Sequence, residues 1–173
     1  MPYNEIVPIG FPKKKTQEEC PMSDSRVLDV LNQSIARELQ VIVQYMWQHV
    51  MAIGLDSAAI AGKFRGLAME EMKHAEQFAE RLNYLNGVPT TKPTPVRVGG
   101  TIEEMLQDDV VAEEEAIALY KGAIELCFEV KDHTTRTLFE KVLADEEEHH
   151  DLLTTLLEKT APAHKTAQQD VKH

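Results

Sequence analysis

Apolar side chains recur every three, four or seven residues along four long stretches of the chain, which is the spacing of one face of an α-helix. Glycine, proline and short polar runs, which begin or end helices, separate these stretches. The pattern therefore predicts an all-α protein. The four predicted helices cover residues 23–53, 57–86, 101–130 and 134–160.

The ends of the predicted helices carry residues that commonly cap them. Ser23, Asp24 and Ser25 offer side-chain oxygens to the free backbone N–H groups at the start of the first helix. Gly54 is a natural stop after that helix. The third helix opens with Thr101 and Glu104, which form the T-x-x-E pattern of a capping box.

A connection of about 14 residues joins the second and third predicted helices. Residues 87–100 contain three prolines, three threonines and three glycines, and show no helical period. Such a length is uncommon between neighbouring antiparallel helices, but it suits a crossover that runs the full length of a bundle. We therefore expect an antiparallel four-helix bundle at 23–160 with one long crossover. An extended or disordered arm at 1–22 precedes it, and a polar tail at 161–173 follows it.

The second half of the chain repeats the first at an offset of 75 residues. Single coincidences are expected between long Glu-rich helices, but here a Glu, a Tyr and a Glu-x-x-His pair recur together. The bundle is therefore expected to have approximate twofold internal symmetry. The repeated pairs are Glu38 and Glu113, Ile42 and Ile117, Tyr45 and Tyr120, Phe64 and Phe139, Glu71 and Glu146, and His74 and His149.

Polar side chains interrupt the apolar stripe of every predicted helix, at positions that face the core. They are Glu38, Glu71, His74, Glu113, Glu146 and His149. No Lys or Arg occupies a stripe position from which it could neutralise the four carboxylates. Burying an unpaired carboxylate costs several kcal/mol, and converging carboxylates also repel one another.

Together these side chains make a ligand set for two metal ions. Four carboxylates carry a charge of about −4, which two divalent cations balance if the imidazoles are neutral. A single buried Glu would be explained as well by bound water or by a position at the edge of the core. Oxygen-rich coordination with one imidazole per ion is typical of iron or manganese rather than structural zinc, and we expect iron. Two adjacent irons can together pass two electrons to dioxygen or peroxide.

The segments around these positions resemble the ferritin-like di-iron carboxylate proteins and, among those, the bacterioferritins. The resemblance covers about residues 25–159. It implies a ferroxidase that oxidises Fe(II) with dioxygen or hydrogen peroxide and stores the ferric product in a hollow homo-oligomeric cage, of about 12 or 24 subunits under closed symmetry. The matching segments are E-L-x-x-x-x-Q-Y at 38–45, E-M-K-H-A at 71–75, E-E-M-L at 103–106 and D-E-E-E-H at 145–149.

The resemblance also implies roles for single residues. Tyr45 would lie beside the site as a hydrogen-bond donor or a radical relay. His150 falls on a helical series of its own, but both the offset and the motif favour His149 as the ligand. The implied ligands are two carboxylates that bridge the irons, Glu71 and Glu146, and one terminal pair for each iron, Glu38 with His74 and Glu113 with His149.

Met72 is the position at which the resemblance implies a haem ligand. One such Met from each of two subunits would hold a haem b iron across a dimer axis. The residues alone leave plain packing equally open, because Met72 shares a face with Ala61, Ala68 and Ala75 and Met is a common core filler. The other candidates, Met69, Met105 and Cys127, are expected to pack rather than bind.

The chain departs from the bacterioferritin pattern in two places. Gly66 stands where many bacterioferritins carry a histidine that binds iron on the cage interior. The residues after 160 lack the apolar face of a fifth short helix. The interior iron route and the number of subunits therefore stay open.

The composition of the chain restricts which partners and which cellular compartment are expected. Lys and Arg number 18 against 29 Asp and Glu, and the formal charge of −11 attracts cations and disfavours nucleic acid. No apolar run approaches the roughly 20 residues of a membrane-spanning helix, so no membrane partner is expected. Cys20 and Cys127 are far apart and show no zinc-binding spacing, which fits a reducing cytoplasm.

Two other functions stay open at this point. A rubrerythrin-like peroxidase would use the same ligands to reduce hydrogen peroxide, although the chain lacks the C-x-x-C pair of a rubredoxin centre. A non-catalytic metal-binding helical scaffold would need the ligands without any redox chemistry. Particle mass and Fe(II) oxidation separate these functions from iron storage.

Overall fold

A computed structural model of the protein describes residues 24–53 and 57–160. Within these ranges the chain forms four α-helices, and each begins and ends within about two residues of its predicted boundary. The predicted arm at 1–22 and tail at 161–173, like the predicted cap Ser23 and the predicted helix stop Gly54, lie outside the described residues. The helices are α1 (Ser25–Met51), α2 (Ser57–Tyr84), α3 (Ile102–Glu129) and α4 (His133–Thr160).

The helices pair into two hairpins, α1 with α2 and α3 with α4, and the hairpins pack side by side. Between the hairpins, α1 lies against α3 and α2 against α4. Helices α2 and α3 run in the same direction, so the chain has to return along the full length of the bundle between them. None of the helices in the described part of the chain is long and apolar enough to cross a membrane.

The crossover follows the surface of α1 and is tied to it by hydrogen bonds. The Asn32 side chain bonds to the backbone of Val88 and Thr90 at 3.2 and 2.8 Å. Further along, the Thr94 N–H donates to the Ala36 carbonyl at 3.0 Å. These contacts satisfy backbone groups that have no helical partner, and they confirm the long crossover between the second and third helices.

Caps define the helix ends. The Asp24 carboxylate accepts from the Arg26 N–H at 2.9 Å at the start of α1. Thr101 and Glu104 form the predicted capping box of α3. Two residues after the end of α2, Asn86 has a φ of 64° in the left-handed region. The Gly87 N–H then reaches back to a carbonyl of α2, and a Cβ at this position would lie 2.3 Å from a Leu side chain, so only glycine fits.

Two apolar clusters fill the bundle, one on each side of a central polar layer. One cluster contains the ends of the helices near the α1 N-terminus, where the rings of Phe78, Tyr120 and Phe139 lie 5.0 to 5.6 Å apart. The other contains Tyr45 and Phe64. On each helix the predicted ligands fall between the residues of these two clusters, so apolar side chains close the predicted metal site from both ends.

The core differs in detail from the apolar stripe that the sequence predicts for α1, which consists of Leu28, Leu31, Ile35, Ile42 and Tyr45. Leu28 and Ile42 are only partly buried, whereas Val27, Val30 and Val41 are buried. The helix is therefore rotated slightly from the predicted orientation, because its buried face also has to carry Arg37, Gln40, Gln44 and Gln48.

Candidate metal centre

The six side chains predicted to bind metal converge at the centre of the bundle. The four glutamates are fully buried, and the two histidines are 4 and 5% exposed. Their ligand atoms form two overlapping groups, in each of which all the atoms lie within 4.8 Å of one another. Glu71 and Glu146 belong to both groups. The groups are Glu38, Glu71, His74 and Glu146, and Glu71, Glu113, Glu146 and His149.

Both imidazoles turn their Nδ1 atoms toward the shared carboxylates. The Nδ1 of His74 lies 3.0 Å from Glu71 Oε2 and 3.2 Å from Glu146 Oε1. The Nδ1 of His149 lies 3.1 Å from Glu71 Oε1 and 3.5 Å from Glu146 Oε2. The two rings stack with their centroids 5.9 Å apart. This places one nitrogen ligand beside each of the two groups.

Acidic residues hold the outer nitrogens of the same rings. Glu70 Oε2 lies 2.8 Å from the Nε2 of His149, and Asp145 Oδ2 lies 3.2 Å from the Nε2 of His74. A carboxylate on the far nitrogen fixes the orientation and tautomer of a ligating imidazole. Sequence reasoning missed both acids, although the 75-residue offset relates them and each directly precedes a shared glutamate.

Two tyrosines hold the carboxylates that are not shared. Tyr45 Oη donates to Glu113, and Tyr120 Oη donates to Glu38. Both rings are fully buried. Tyr120 is the counterpart of Tyr45 in the internal repeat, and that repeat was the signal from which its position beside the centre could have been predicted.

The expectation that no basic residue neutralises the cluster is wrong. The Arg37 guanidinium lies among all four carboxylates, with Nη1 2.9 Å from Glu38 and Nη2 2.5 Å from Glu113. The contacts to Glu71 and Glu146 are 3.5 and 3.4 Å long. Arg37 lies next to the apolar stripe rather than on it, but its side chain is long enough to reach the core. The spacing of residues along a helix does not show how far a side chain reaches, so the sequence pattern missed this contact.

Burial and charge divide the carboxylates into two kinds. Burial raises the pKa of Glu38 and of Glu113 well above the usual value, although the positive charge of Arg37 acts in the opposite direction. Burial also acts to raise the pKa values of the shared pair, and the charge of Glu146 adds to this for Glu71. The Arg37 charge and the imidazole hydrogen bonds outweigh them, so the pKa of Glu71 falls to about 2 and that of Glu146 falls well below its usual value.

Both imidazoles hold their protons strongly. Burial acts to lower the pKa of each ring, but hydrogen bonds to Glu146 and Glu71 outweigh it. They raise the pKa of His74 to about 11 and that of His149 to about 12. Metal ions bind neutral imidazole, so they have to displace these protons.

The donor set fits a pair of divalent ions. Both carboxylate oxygens of Glu146 are buried, and the described residues offer them only long contacts of 3.2 to 3.5 Å from His74, His149 and Arg37, which leave their capacity as acceptors largely unfilled. Unsatisfied buried oxygens are costly unless a ligand completes them. Each group offers oxygen donors and one imidazole, which suits iron. The two carboxylates that both groups share suit a pair of adjacent ions.

Surface cavities lead to the centre between α2 and α4. One of about 310 Å³ lies over both histidines and is bordered by Glu70, Asp145 and Glu148. A neighbouring cavity of about 430 Å³ shares Glu70 and Glu148 and is also lined by Gly66. A Cβ at Gly66 would meet nothing within 4 Å, so the position has room for a side chain but carries none.

The remaining candidates lie away from the centre. His150 is one-third exposed, and its Nε2 lies 3.7 Å from Glu114. Met72 is 49% exposed on the outside of α2. Met105 and Cys127 are buried in the core, as expected, whereas Met69 is 50% exposed and does not pack within the subunit.

Asp109, which the sequence analysis also missed, lies one helical turn before Glu113 and forms a buried polar cluster with Gln44 and Gln48. The Asp109 Oδ1 atom accepts hydrogen bonds from the side chains of Gln44 and Gln48, both at 2.8 Å. Its second oxygen has no partner among the described residues. Asp109 is fully buried, and it continues the polar layer toward the crossover.

A four-helix bundle with one long crossover and a buried cluster of four Glu and two His defines the ferritin-like class. Residues 28–162 match the ferritin-like domain family.

Comparison with individual proteins narrows this class. The chain is 38% identical over 136 residues to a bacterioferritin of Mycolicibacterium paratuberculosis, covering 78% of this chain and 86% of the relative. It is 36% identical over 126 residues to a bacterioferritin of Desulfovibrio desulfuricans, covering 72 and 70%. The chain therefore belongs to the bacterioferritin family.

Solved structures agree with this assignment. A bacterioferritin of Rhodobacter capsulatus, described with a metal-free dinuclear site and a haem iron, superimposes with a TM-score of 0.76 at 34% identity. The superposition covers 79% of this chain and 86% of that one. A mycobacterial bacterioferritin gives the same TM-score at 36% identity, with 80 and 86% covered.

Proposed function

We propose that this protein is a ferroxidase and iron store, which oxidises Fe(II) at a di-iron centre inside each subunit and keeps the ferric product inside an oligomeric cage. One observation carries the proposal above all. Two groups of ligand atoms share Glu71 and Glu146 in a buried pocket that surface cavities reach. Membership of the bacterioferritin family supports the same function.

The residues divide the work as follows. Glu71 and Glu146 belong to both ligand groups and would hold both irons, and two irons held side by side would supply two electrons to one dioxygen or hydrogen peroxide molecule. Each terminal pair, Glu38 with His74 and Glu113 with His149, would complete one iron.

The surrounding side chains position these ligands. Tyr45 and Tyr120 hold the terminal carboxylates by hydrogen bonds, and Glu70 and Asp145 orient the imidazoles. The apolar clusters exclude water from both ends of the polar layer. Water therefore reaches the centre from the side, through the cavity between α2 and α4.

A shared ligand is the sharpest place to test the centre. Glu71→Ala removes a carboxylate common to both groups, and we expect stopped-flow oxidation of Fe(II) to slow at least a hundredfold, because both ions lose a ligand. Glu76→Ala, an exposed position on the same helix, is the matched control. If Glu71→Ala oxidises iron as fast as the control, the site is wrong.

Zinc gives an independent test of the same ligands. Zn(II) has the charge and size to occupy them but has no redox chemistry. At about two Zn(II) per subunit we expect oxidation of Fe(II) to stop. Unimpaired turnover with zinc bound at this centre would contradict the proposal.

We also propose haem b at a subunit dimer interface, held by Met72. Its exposure on the outside of α2 makes the thioether available to a second subunit, and the Rhodobacter capsulatus relative is described with a haem iron. Met72→Leu should abolish the haem absorption bands, whereas Met69→Leu, an equally exposed methionine on the same helix, should keep them. Wild-type protein without these bands after haem supplementation would exclude this role.

The cage is supported by a second apolar stripe on α1, on the face away from the core. Its members follow helical spacing and are 37 to 66% exposed: Val43, Met46, Trp47 and Val50. Such a stripe is typical of a helix that packs against another subunit. We propose a closed assembly of about 12 or 24 subunits in the cytoplasm. Light scattering tests it, and a monomer or dimer would rule out storage and leave the peroxidase and scaffold alternatives.

A further inference from the structure

The Arg37 guanidinium contacts every carboxylate of the candidate metal centre. Its Nη1 atom lies 2.9 to 3.5 Å from oxygens of Glu38, Glu71 and Glu146. These three residues are also the carboxylates of one metal-ligand group. Its Nη2 atom lies 2.5 Å from Glu113, which belongs to the other group. The guanidinium therefore bridges the two groups of ligands.

Only one half of the internal repeat supplies this cation. The counterpart of Arg37 at the 75-residue offset is Ala112, and the Ala112 carbonyl accepts a hydrogen bond from Nη2 at 3.4 Å. The methyl group of Ala112 leaves space for the guanidinium between α1 and α3. The Nε atom of Arg37 is buried and has no partner among the described residues, so the guanidinium is not fully satisfied where it lies.

Metal ions and this guanidinium need the same four carboxylates. A divalent ion binds carboxylate oxygens at about 2.0 to 2.2 Å, which is inside the distance that Nη1 keeps from the same atoms. Two positive groups at such separations repel each other strongly in a buried pocket. Occupation of the first ligand group is therefore in direct competition with the contacts of Nη1.

The charge of the loaded centre leads to the same result. Four ionised glutamates and two divalent ions sum to about zero with neutral imidazoles, and a retained guanidinium leaves an excess of about +1 in the pocket. An unbalanced buried charge is costly. In the absence of metal, the same guanidinium offsets repulsion among the four carboxylates.

We propose that Arg37 is an internal counter-ion that competes with metal, and that filling both ligand groups displaces its guanidinium from the carboxylate cluster. The proposal rests on the metal centre of the proposed function. Its consequence is that the second ion binds more weakly than the ligand set alone would allow. Weak binding of the second ion suits a centre whose oxidised iron has to leave for storage, because the guanidinium can take the place of the departing ion beside the carboxylates.

Cobalt binding tests the proposal without any iron oxidation. Co(II) is titrated into metal-free wild type, Arg37→Gln and Arg97→Gln, and its visible absorption is followed. Arg97→Gln is the matched control, because it removes the same charge from a side chain that pairs with Glu115 at the surface. We expect Arg37→Gln to bind the second Co(II) about tenfold more tightly or better than wild type, and Arg97→Gln to match wild type.

The outcomes separate this proposal from the metal centre itself. If wild type and Arg37→Gln both bind two Co(II) with equal affinities, the metal centre stands and the role of Arg37 is wrong. If neither variant binds Co(II), both are wrong. If wild type binds one ion or none while Arg37→Gln binds two, the competition is supported in its strongest form.

A structure of the cobalt-loaded wild type keeps the proposal testable if Arg37→Gln does not fold. We expect the guanidinium to have left Glu38 and Glu113 when both ions are present. A guanidinium that still contacts both of these carboxylates beside two bound ions would overturn the proposal.

Discussion

Each terminal carboxylate of the metal centre is held by a tyrosine from the opposite hairpin. Tyr120 of α3 donates to Glu38 of α1, and Tyr45 of α1 donates to Glu113 of α3. Burial also raises the pKa of both phenols well above the usual value, with the neighbouring carboxylates adding to the shift. The tyrosines therefore remain protonated donors across the physiological range of pH.

Removal of one of these donors is expected to destabilise the metal-free protein. Tyr120→Phe leaves a buried carboxyl group short of a hydrogen bond, which costs about 1 to 3 kcal/mol. The measurement is the midpoint of thermal unfolding, followed by circular dichroism. Tyr84→Phe is the control, because that ring is 69% exposed. Equal midpoints for the two variants would mean that the phenol hydroxyl of Tyr120 contributes nothing.

Asp109 makes stability depend on pH in a defined direction. Burial raises the pKa of its carboxyl from 3.8 to about 7, although hydrogen bonds from Gln44 and Gln48 act to lower it. Between pH 4 and 7 the unfolded chain ionises this group while the folded protein keeps it protonated. The stability contributed by the protonated form is thus complete below pH 3.8 and is lost as the pH rises to about 7.

Asp109→Asn removes this titration. We expect its unfolding midpoint to rise relative to wild type between pH 5 and pH 8, by about 2 to 4 °C for each kcal/mol recovered. Asp151→Asn, at an exposed position of α4, makes the same chemical change away from Asp109, serves as the control and is expected to follow wild type. A difference between Asp109→Asn and wild type that stays constant with pH would refute the assignment.

Helices α2 and α3 are each followed, two residues after their last helical residue, by a residue in the left-handed region, and the two residues are not equally suited to it. Asn86 has a φ of 64° and Lys131 a φ of 61°. Asparagine tolerates this conformation, whereas a lysine is strained in it, because its Cβ crowds the following carbonyl. A residue that adopts this conformation without strain after α3 is therefore expected to raise the stability of the folded protein.

Lys131→Gly is expected to stabilise the protein by about 1 kcal/mol. The control is Lys131→Ala, which removes the same ammonium group but keeps the Cβ and hence the strain. The measurement is again the thermal midpoint. A gain in both variants would trace the effect to the lost charge rather than to the backbone.

The sequence alone located the helices and the candidate ligands because both depend on residues at fixed spacing. The capping box at Thr101 and the carboxylates within the apolar stripes are patterns of residues close together in the chain, so they can be recognised from the sequence. Arg37 was missed because its contacts depend on side-chain length and on the space above Ala112, which only the packed structure shows. Glu70 and Asp145 were missed for a similar reason, since both look like exposed helix acids in sequence.

The subunit presents one apolar stripe to its core and another to its surroundings. Trp47, the single tryptophan of the chain, lies in the outer stripe and is 55% exposed. If this stripe packs against another subunit, Trp47→Glu places a charge in the interface, and the particle mass should fall while the helical content stays unchanged. Val88→Glu, at an 82% exposed position on the crossover, is the control. An intact particle for Trp47→Glu would exclude this face from assembly.

Each candidate ion draws ligands from both hairpins, since the two shared glutamates lie on α2 and α4. Bound ions would therefore add a further link between two halves that already meet through apolar packing and polar contacts, among them those of Tyr120 with Glu38 and of Gln44 with Asp109. Loading and release of iron are then expected to alternately stiffen and loosen the subunit along its length. Backbone amide exchange on all four helices, rather than near the ligands alone, would slow when the ions bind.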